Sequence, residues 1–280
     1  MQDWHTHNSL CRHASGTVND YVKRAIELDL DLIGFSDHFP YEFLKGIEQI
    51  PYEEYGMLVS EIENYISGVE RLRSIYEGKI DIKIGFELDF IEHQTSAHKK
   101  YLNKYIKRLD YVLGSVHILL GKHGFFAFDD SRFLNNYDLY DNVEDLYLDY
   151  YHTLENMITS TEFNFNIISH FDLPKKFNKR PENSEKIDDQ VIKILELVKK
   201  KNLVIEVNSS GLRKPIKEQY PNENILRKMY ELDIPLLLGS DAHHPDELGF
   251  EFINIIKLIE EIGYNYLAFF EKRKLKFVEI

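Results

Sequence analysis

Ile234-Pro235-Leu236-Leu237-Leu238-Gly239-Ser240-Asp241-Ala242-His243 is an apolar run that stops at a glycine and gives way at once to a carboxylate and an imidazole. The run from Ile234 to Gly239 has the length and bulk of a strand buried on both faces, and the polar residues begin where that strand would end. The same layout recurs through the chain, with hydrophobic runs ending at His5, His38, Glu87, His117, His170, Asn208 and Asp241. Where parallel strands are returned by helices into a barrel, all C-terminal strand ends open on one face. Residues remote in sequence would then converge on one pocket. Imidazole and carboxylate are ligand types that suit zinc, manganese, iron and related cations.

Helix-like segments separate the runs. Thr17 to Asp29 carries a capping residue at Thr17 or Asn19 and an apolar stripe of Tyr21, Val22, Ala25, Ile26 and Leu28. Glu54 to Tyr76, Lys99 to Leu109, Asp141 to Ile158, Ser184 to about Lys201, and Asn224 to Glu231 read as further helices. The strands between them are Leu32 to Ser36, Ile80 to Phe86, Tyr111 to Val116, Phe165 to Ser169, Leu203 to Val207 and Ile234 to Gly239, after a short first run ending at His5. Alternation of this kind is the pattern of βα units around a parallel sheet. With only seven strong strands, it predicts an irregular (β/α)7 barrel, TIM-barrel-like, rather than the regular eight-stranded form. Residues 1–280 read as one such domain, without repeats, low-complexity tracts or a flexible linker. Tyr266 to Ile280 is ambiguous between element types, and Pro40 to Tyr55 and Lys122 to Tyr140 read as loops over the barrel mouth.

Composition narrows the function. Thirty-four Lys and Arg against 47 Asp and Glu give a formal charge of -13, which repels nucleic acid and anionic membrane and favours a small substrate. No apolar stretch approaches the roughly 20 residues needed to span a bilayer, and the start Met1-Gln2-Asp3-Trp4-His5 has no basic-then-apolar leader, so the expected location is the cytoplasm. The single cysteine, Cys11, has no partner for an internal disulfide. Nothing in the composition points to an oligomeric state.

Of the 12 histidines, His5, His7, His13, His38, His117, His170, His243 and His244 fall at or just after strand ends. His5 and His7 flank Thr6, and period-two alternation puts their imidazoles on one side of an extended chain, within reach of a single cation. His244 reads as an exposed neighbour of His243, and His93, His98, His123 and His152 as ordinary surface residues.

In this order and spacing, His5-x-His7 with His13, then Asp37-His38, Glu87, His117, His170 and Asp241-x-His243, the chain resembles the polymerase and histidinol phosphatase (PHP) family of metal-dependent phosphoesterases over nearly its whole length. The resemblance implies three divalent metal ions, zinc, manganese or iron, at the barrel mouth. One would take His5, His7, Glu87 and Asp241, a second would share Glu87 and add His117 and His170, and the third would take His13, His38 and His243. Within the family, the histidinol phosphatase branch is the better match, on Gly114-Ser115-Val116-His117 and on Glu206-Val207-Asn208-Ser209-Ser210-Gly211-Leu212-Arg213-Lys214. That branch implies hydrolysis of the monoester histidinol phosphate, in histidine biosynthesis, by metal-activated hydroxide. Related barrels also support phosphodiester or nuclease chemistry and other small monoesters, and the net charge disfavours nucleic acid.

On this reading Glu87, Asp241 and His243 are the candidate catalytic residues, with His243 or Asp241 nearest the leaving oxygen. Arg213, just beyond the sixth strand, is placed to grip two phosphate oxygens through its planar fork. Lys175 and Lys176, after His170-Phe171-Asp172, would add positive potential, and Asn208 would bond substrate or orient a neighbour. Glu42, Phe43 and Asp129 suit the substrate's ammonium and imidazole.

Overall fold

The computed structural model describes residues 1–45, 50–122, 124–182 and 184–280. Twelve strands are seen among these residues: β1 Gln2–Asp3, β2 Leu32–Phe35, β3 Asp81–Ile84, β4 Glu87–Asp89, β5 Leu113–Ser115, β6 Ile118–Gly121, β7 Gly124–Ala127, β8 Ile167–Ile168, β9 Val204–Asn208, β10 Leu236–Gly239, β11 Tyr266–Glu271 and β12 Lys274–Glu279. The α-helices are α1 Val18–Glu27, α2 Ile62–Ile75, α3 Thr95–Tyr105, α4 Val143–Thr159, α5 Glu185–Lys201, α6 Glu223–Glu231 and α7 Phe252–Ile262. The strands expected from the apolar runs fall within them, except that β9 runs one residue past Val207 to Asn208, and the helices return the chain between parallel neighbours.

The fold is α/β with mostly parallel sheets. One sheet has the order β1-β2-β3 and a larger one β10-β9-β8-β5-β4, all parallel. Their edges are tied to each other. On one side, Glu87 N donates to Ser36 O (2.9 Å) and Phe39 N to Glu87 O (2.9 Å). On the other, Trp4 N donates to Leu238 O (3.0 Å) and His7 N to Ala242 O (2.9 Å).

Alternation along the strands sorts the core. Ile33, Phe35, Ile82, Ile84, Ile168, Ile205, Val207, Leu236 and Leu238 pack with the buried faces of the helices. Leu32, Leu113, Ile167, Val204 and Leu237 face the other way and pack with Trp4, Tyr111, Ala268 and Phe270. Tyr111 meets Trp4 edge to face at 5.1 Å, and its hydroxyl donates to Trp4 O (2.7 Å). Ala268 and Phe270 belong to the antiparallel β11–β12 hairpin, so the ambiguous C-terminal stretch is a hairpin closing this inner cluster.

Local signals explain most helix starts. Thr17 caps α1 in a reciprocal box with Asp20, and Ser184 caps α5 by accepting from Ile187 N (3.2 Å). α2 departs from the sequence expectation, because its first two turns are replaced by short 3-10 turns at Tyr52–Glu54 and Val59–Glu61. The N-terminal residues of that stretch are spent on the wall of the site instead. No helix among the described residues is long and apolar enough to cross a membrane.

Candidate metal centre

The strand ends do converge. A cavity of about 780 Å³ opens at this end, lined among others by His13, His38, Glu87, His117, His170, Asp241 and His243. His5 and His7, fully buried, form the floor beneath it.

Glu87 organises the floor. Its Oε2 lies 3.3 Å from His5 Nε2, 3.4 Å from His7 Nε2 and 3.1 Å from His38 Nδ1. Its Oε1 lies 3.0 Å from His170 Nε2 and 3.6 Å from His117 Nε2. Ser115, at the end of β5, donates to the same Oε1 (2.6 Å) and is itself in hydrogen-bond contact with Ser169 (2.5 Å). Asp241 Oδ1 closes the first group, 3.2 Å from His7 Nε2 and 3.7 Å from His5 Nε2. Asp241 has φ 51°, a left-handed conformation uncommon for a residue other than glycine, at the turn that aims its carboxylate inward.

The donor set fits divalent cations on two observations. First, ring nitrogens meet in pairs, His5 Nε2 with His7 Nε2 at 3.0 Å and His117 Nε2 with His170 Nε2 at 3.1 Å. Such pairs place two lone pairs on a common point. The far nitrogens agree, since a carboxylate or carbonyl only accepts. His5 Nδ1 therefore donates to Glu206 Oε1 (2.7 Å), His13 Nδ1 to the carbonyls of Cys11 (2.8 Å) and Glu54 (2.9 Å), and His243 Nδ1 to Asp241 O (3.0 Å), leaving each Nε2 a free donor of electrons. Second, Asp37, Glu87, Asp89, Glu206 and Asp241 crowd the site, the first four fully buried, and their ion-pair partners among the described residues are histidines alone. Buried carboxylates need compensating charge.

The field is correspondingly negative. For His5, burial opposes protonation but is outweighed by Glu206, Glu87 and Asp241, so its pKa rises well above the ordinary value. His7 is pushed up to about 9, with Asp241 and Asp37 overcoming burial, and His117 to about 10, with Glu87 and Asp89 doing the same. Burial favours neutral Glu87, yet His38, His5 and His117 hold its carboxyl well below the usual range. The carboxylates that favour a proton on these rings would favour any cation there, whereas burial and neighbouring histidines lower His13, His38 and His243.

His13, His38 and His243 surround the outer side of His7, whose ring stacks on His38 at 4.4 Å and on His243 at 4.3 Å. His7 and His38 each reach two groups, because His38 also contacts Glu87. Buried Cys11 lies in the same cluster, its thiol within ligand range of His13 and His243. Burial first, then Asp37, pushes that thiol up, so it is held protonated.

Other expected residues are redirected. Lys176 lines the cavity and pairs with Asp129 (3.0 Å), which also lines it. Lys175 does not: it is buried, and its three N–H donors are consumed by Asp172 (2.8 Å), Glu218 (2.8 Å) and Gln219 O (2.7 Å). Arg213 also turns away from the cavity, donating to the carbonyls of Ser240 (2.8 Å) and Asp241 (3.1 Å) and pairing with Glu247 (3.3 Å). Its neighbour Lys214 lines the cavity instead. Asn208 orients neighbours, giving its amide to Glu206 (3.0 Å) and standing 3.5 Å from Asp241 Oδ2. Of the residues named for the substrate's cationic end, Asp129 is in the wall. Glu42 instead accepts from Val59 N (2.5 Å), and Phe43 packs on His98. His98 is not a surface residue but a buried one among Phe39, Phe43 and Phe163. His123 lies outside the described residues.

Three carboxylates carry roles that the sequence pattern did not assign, although Asp37 and Glu206 stand within the motifs quoted above. Glu206 holds His5, Asp37 faces His7 Nδ1 at 3.6 Å, and Asp89 faces His117 Nδ1 at 3.6 Å while accepting from His117 N (2.9 Å). Period two was the available signal for two of them: Glu206 shares a strand face with Asn208, and Asp89 with Glu87.

The PHP domain model matches residues 3–210, most of the chain. This chain belongs to the PHP domain family. Among curated PHP relatives, the "Probable histidinol-phosphatase" of Deinococcus radiodurans is 33% identical over 95% of this chain and 95% of its own length. The histidinol-phosphatase of Bacillus subtilis is 27% identical over 90% of this chain and 96% of its own. A crystal structure of a candidate histidinol phosphatase from Listeria monocytogenes superposes with a TM-score of 0.84 at 29% identity, covering 91% of this chain and 99% of that one. The histidinol phosphate phosphatase of Lactococcus lactis, solved with zinc, L-histidinol and phosphate, has the same fold, with a TM-score of 0.76 at 21% identity and 98% coverage of both chains.

Proposed function

We propose that this chain is a metal-dependent phosphomonoester hydrolase that converts histidinol phosphate to histidinol and phosphate in histidine biosynthesis, in the cytoplasm. The observation that carries the reading is the division of Glu87, one oxygen toward His5, His7 and His38 and the other toward His117 and His170, on the floor of a cavity large enough for a small ester. Relatives of nearly equal length bearing the histidinol-phosphatase name support the substrate. The two tied sheet edges support a closed, irregular seven-stranded barrel whose mouth is this cavity.

Three divalent ions, zinc, manganese or iron, would be held by His5, His7, Glu87 and Asp241, by Glu87, His117 and His170, and by His13, His38 and His243. Bound there, they would supply hydroxide at neutral pH and neutralise charge on the transferring phosphoryl group. Lys176 and Lys214 would attract the phosphate dianion at the mouth. Tyr41, Tyr55, Asp129 and Asp130, also in the wall, offer aromatic faces and carboxylates to the imidazole and ammonium of the substrate. Asp241 or His243 would return the proton to the leaving alcohol, and Glu87 would stay ionised throughout.

Phosphate release from histidinol phosphate, beside other monoesters and a nucleotide diester, tests this with protein stripped and reloaded with zinc or manganese. Selective, metal-dependent release from histidinol phosphate is expected. Turnover of the diester alone would overturn the assignment.

A further inference from the structure

Glu206 is a fully buried carboxylate in the middle of β9, flanked by Ile205 and Val207, and among the described residues its ion-pair partner is His5 alone. Its two oxygens do different things. Oε1 accepts from His5 Nδ1 at 2.7 Å, which fixes the proton on that nitrogen and turns the Nε2 lone pair toward His7, Glu87 and Asp241. Oε2 accepts from the backbone N–H of His170 at 3.0 Å and from the Asn208 amide at 3.0 Å. His170 faces the opposite oxygen of Glu87, and Asn208 reaches toward Asp241. One side chain thus touches the imidazole of one ligand group, the main chain of the other, and the residue that steers the carboxylate closing the first.

We propose that Glu206 is the positioning residue that sets the tautomer of His5 and keeps the two ligand groups around Glu87 in register. This rests on the metal-dependent reading of the site. Its charge is essential for a geometric reason: all three groups pointing at it are donors, and only an ionised carboxylate accepts from all of them. In Glu206→Gln the shape survives, but the amide N–H must oppose either His5 Nδ1–H or the donors at His170 and Asn208. In the first arrangement His5 is driven to carry its proton on Nε2, where it blocks a cation. In the second the backbone of His170 is pushed off.

The test is zinc titration of the stripped full-length chain, wild type against Glu206→Gln, with the thermal midpoint of each metal-free protein and phosphate release measured alongside. Zinc affinity is expected to fall about 10- to 100-fold, the cost typical of losing an outer partner of a ligating histidine, while the metal-free midpoint stays near that of wild type. Wild-type affinity and stoichiometry in the variant would overturn the proposal. So would a lower metal-free midpoint with unchanged affinity, which would make Glu206 a packing residue. If Glu206→Gln does not fold, the His5 tautomer in zinc-loaded wild type is read by 15N NMR, and a proton on Nε2 rather than Nδ1 overturns the proposal equally. Should loaded wild type release no phosphate from any monoester, the function assigned above fails, but the zinc titration still decides the role of Glu206.

Discussion

Glu206 of β9 and Gly239 of β10 are diagonal neighbours on the parallel pair, whose register sets Glu206 opposite Leu237 and Gly239 opposite Asn208, and the absence of a side chain on Gly239 makes room for the carboxylate, since a Cβ there would overlap Glu206 Oε1 and crowd His5 Cβ. Gly239→Ala is therefore expected to destabilise the metal-free protein by about 1–3 kcal/mol, as overpacking in a closed core does, and to weaken zinc binding by displacing Glu206. Thermal melts and zinc titration of the variant check this. An unshifted midpoint with native affinity would show that the strands part without cost.

Glu87→Gln preserves shape but removes the charge that faces five histidines. Turnover is expected to fall by orders of magnitude, with fewer metal ions per chain by elemental analysis. Unchanged turnover with metal still bound would reject the bridging role.

Chelation should expose the carboxylates that the ions compensate. At free zinc about 100-fold above its dissociation constant, binding to the folded state alone adds about 2.7 kcal/mol, so the melting temperature is expected to drop in chelator and to recover on adding zinc or manganese. A melting temperature indifferent to chelator would argue against a loaded site.

Lys176 and Lys214 line the mouth, and burial, then the charge of Lys176, lowers the pKa of Lys214. Each replacement by Met is expected to lower kcat/KM for a phosphomonoester about 10- to 100-fold, mainly through KM, the scale of one hydrogen bond to a charged group. Arg213→Ala should behave differently. It releases the carbonyls of Ser240 and Asp241, so kcat is expected to fall more than KM rises.

His98 gives the protein an acid-sensitive core. Burial alone lowers its pKa from 6.5 to about 3, and its Nδ1 has no hydrogen-bond partner. A histidine depressed in the folded state binds its proton only after unfolding, so stability is full above pH 6.5 and is lost as pH falls toward 3. Between pH 7 and pH 5 the wild type should lose about 2 kcal/mol more than His98→Leu. Denaturant melts at both pH values measure the difference, and parallel losses in the two proteins would refute it.

The legible part of this molecule was what local pattern dictates. Apolar runs placed strands within Leu32 to Ser36, Ile80 to Phe86 and Ile234 to Gly239, because a strand buried on both faces needs an unbroken apolar sequence. Residues beginning where such runs stop, Glu87, His117, His170 and Asp241 among them, had to share one end of parallel strands, and they line one cavity. The misreadings came where chemistry depends on what a side chain meets. Arg213 and Lys214 are adjacent polar residues in one loop, and only the course of the backbone decides which of them faces the cavity. His98 looked like any exposed helical histidine until Phe39, Phe43 and Phe163 closed around it.

The sequence by itself determined the strand ends and the residue types gathered there, since alternation and apolar length act over a few neighbours along the chain. Only the tertiary structure decided which carboxylate stands behind which imidazole. Glu206 is 201 residues from His5, and the hydrogen bond that orients that imidazole exists because the fold brings β9 to within one strand, β10, of the first strand, a relation that no local pattern encodes.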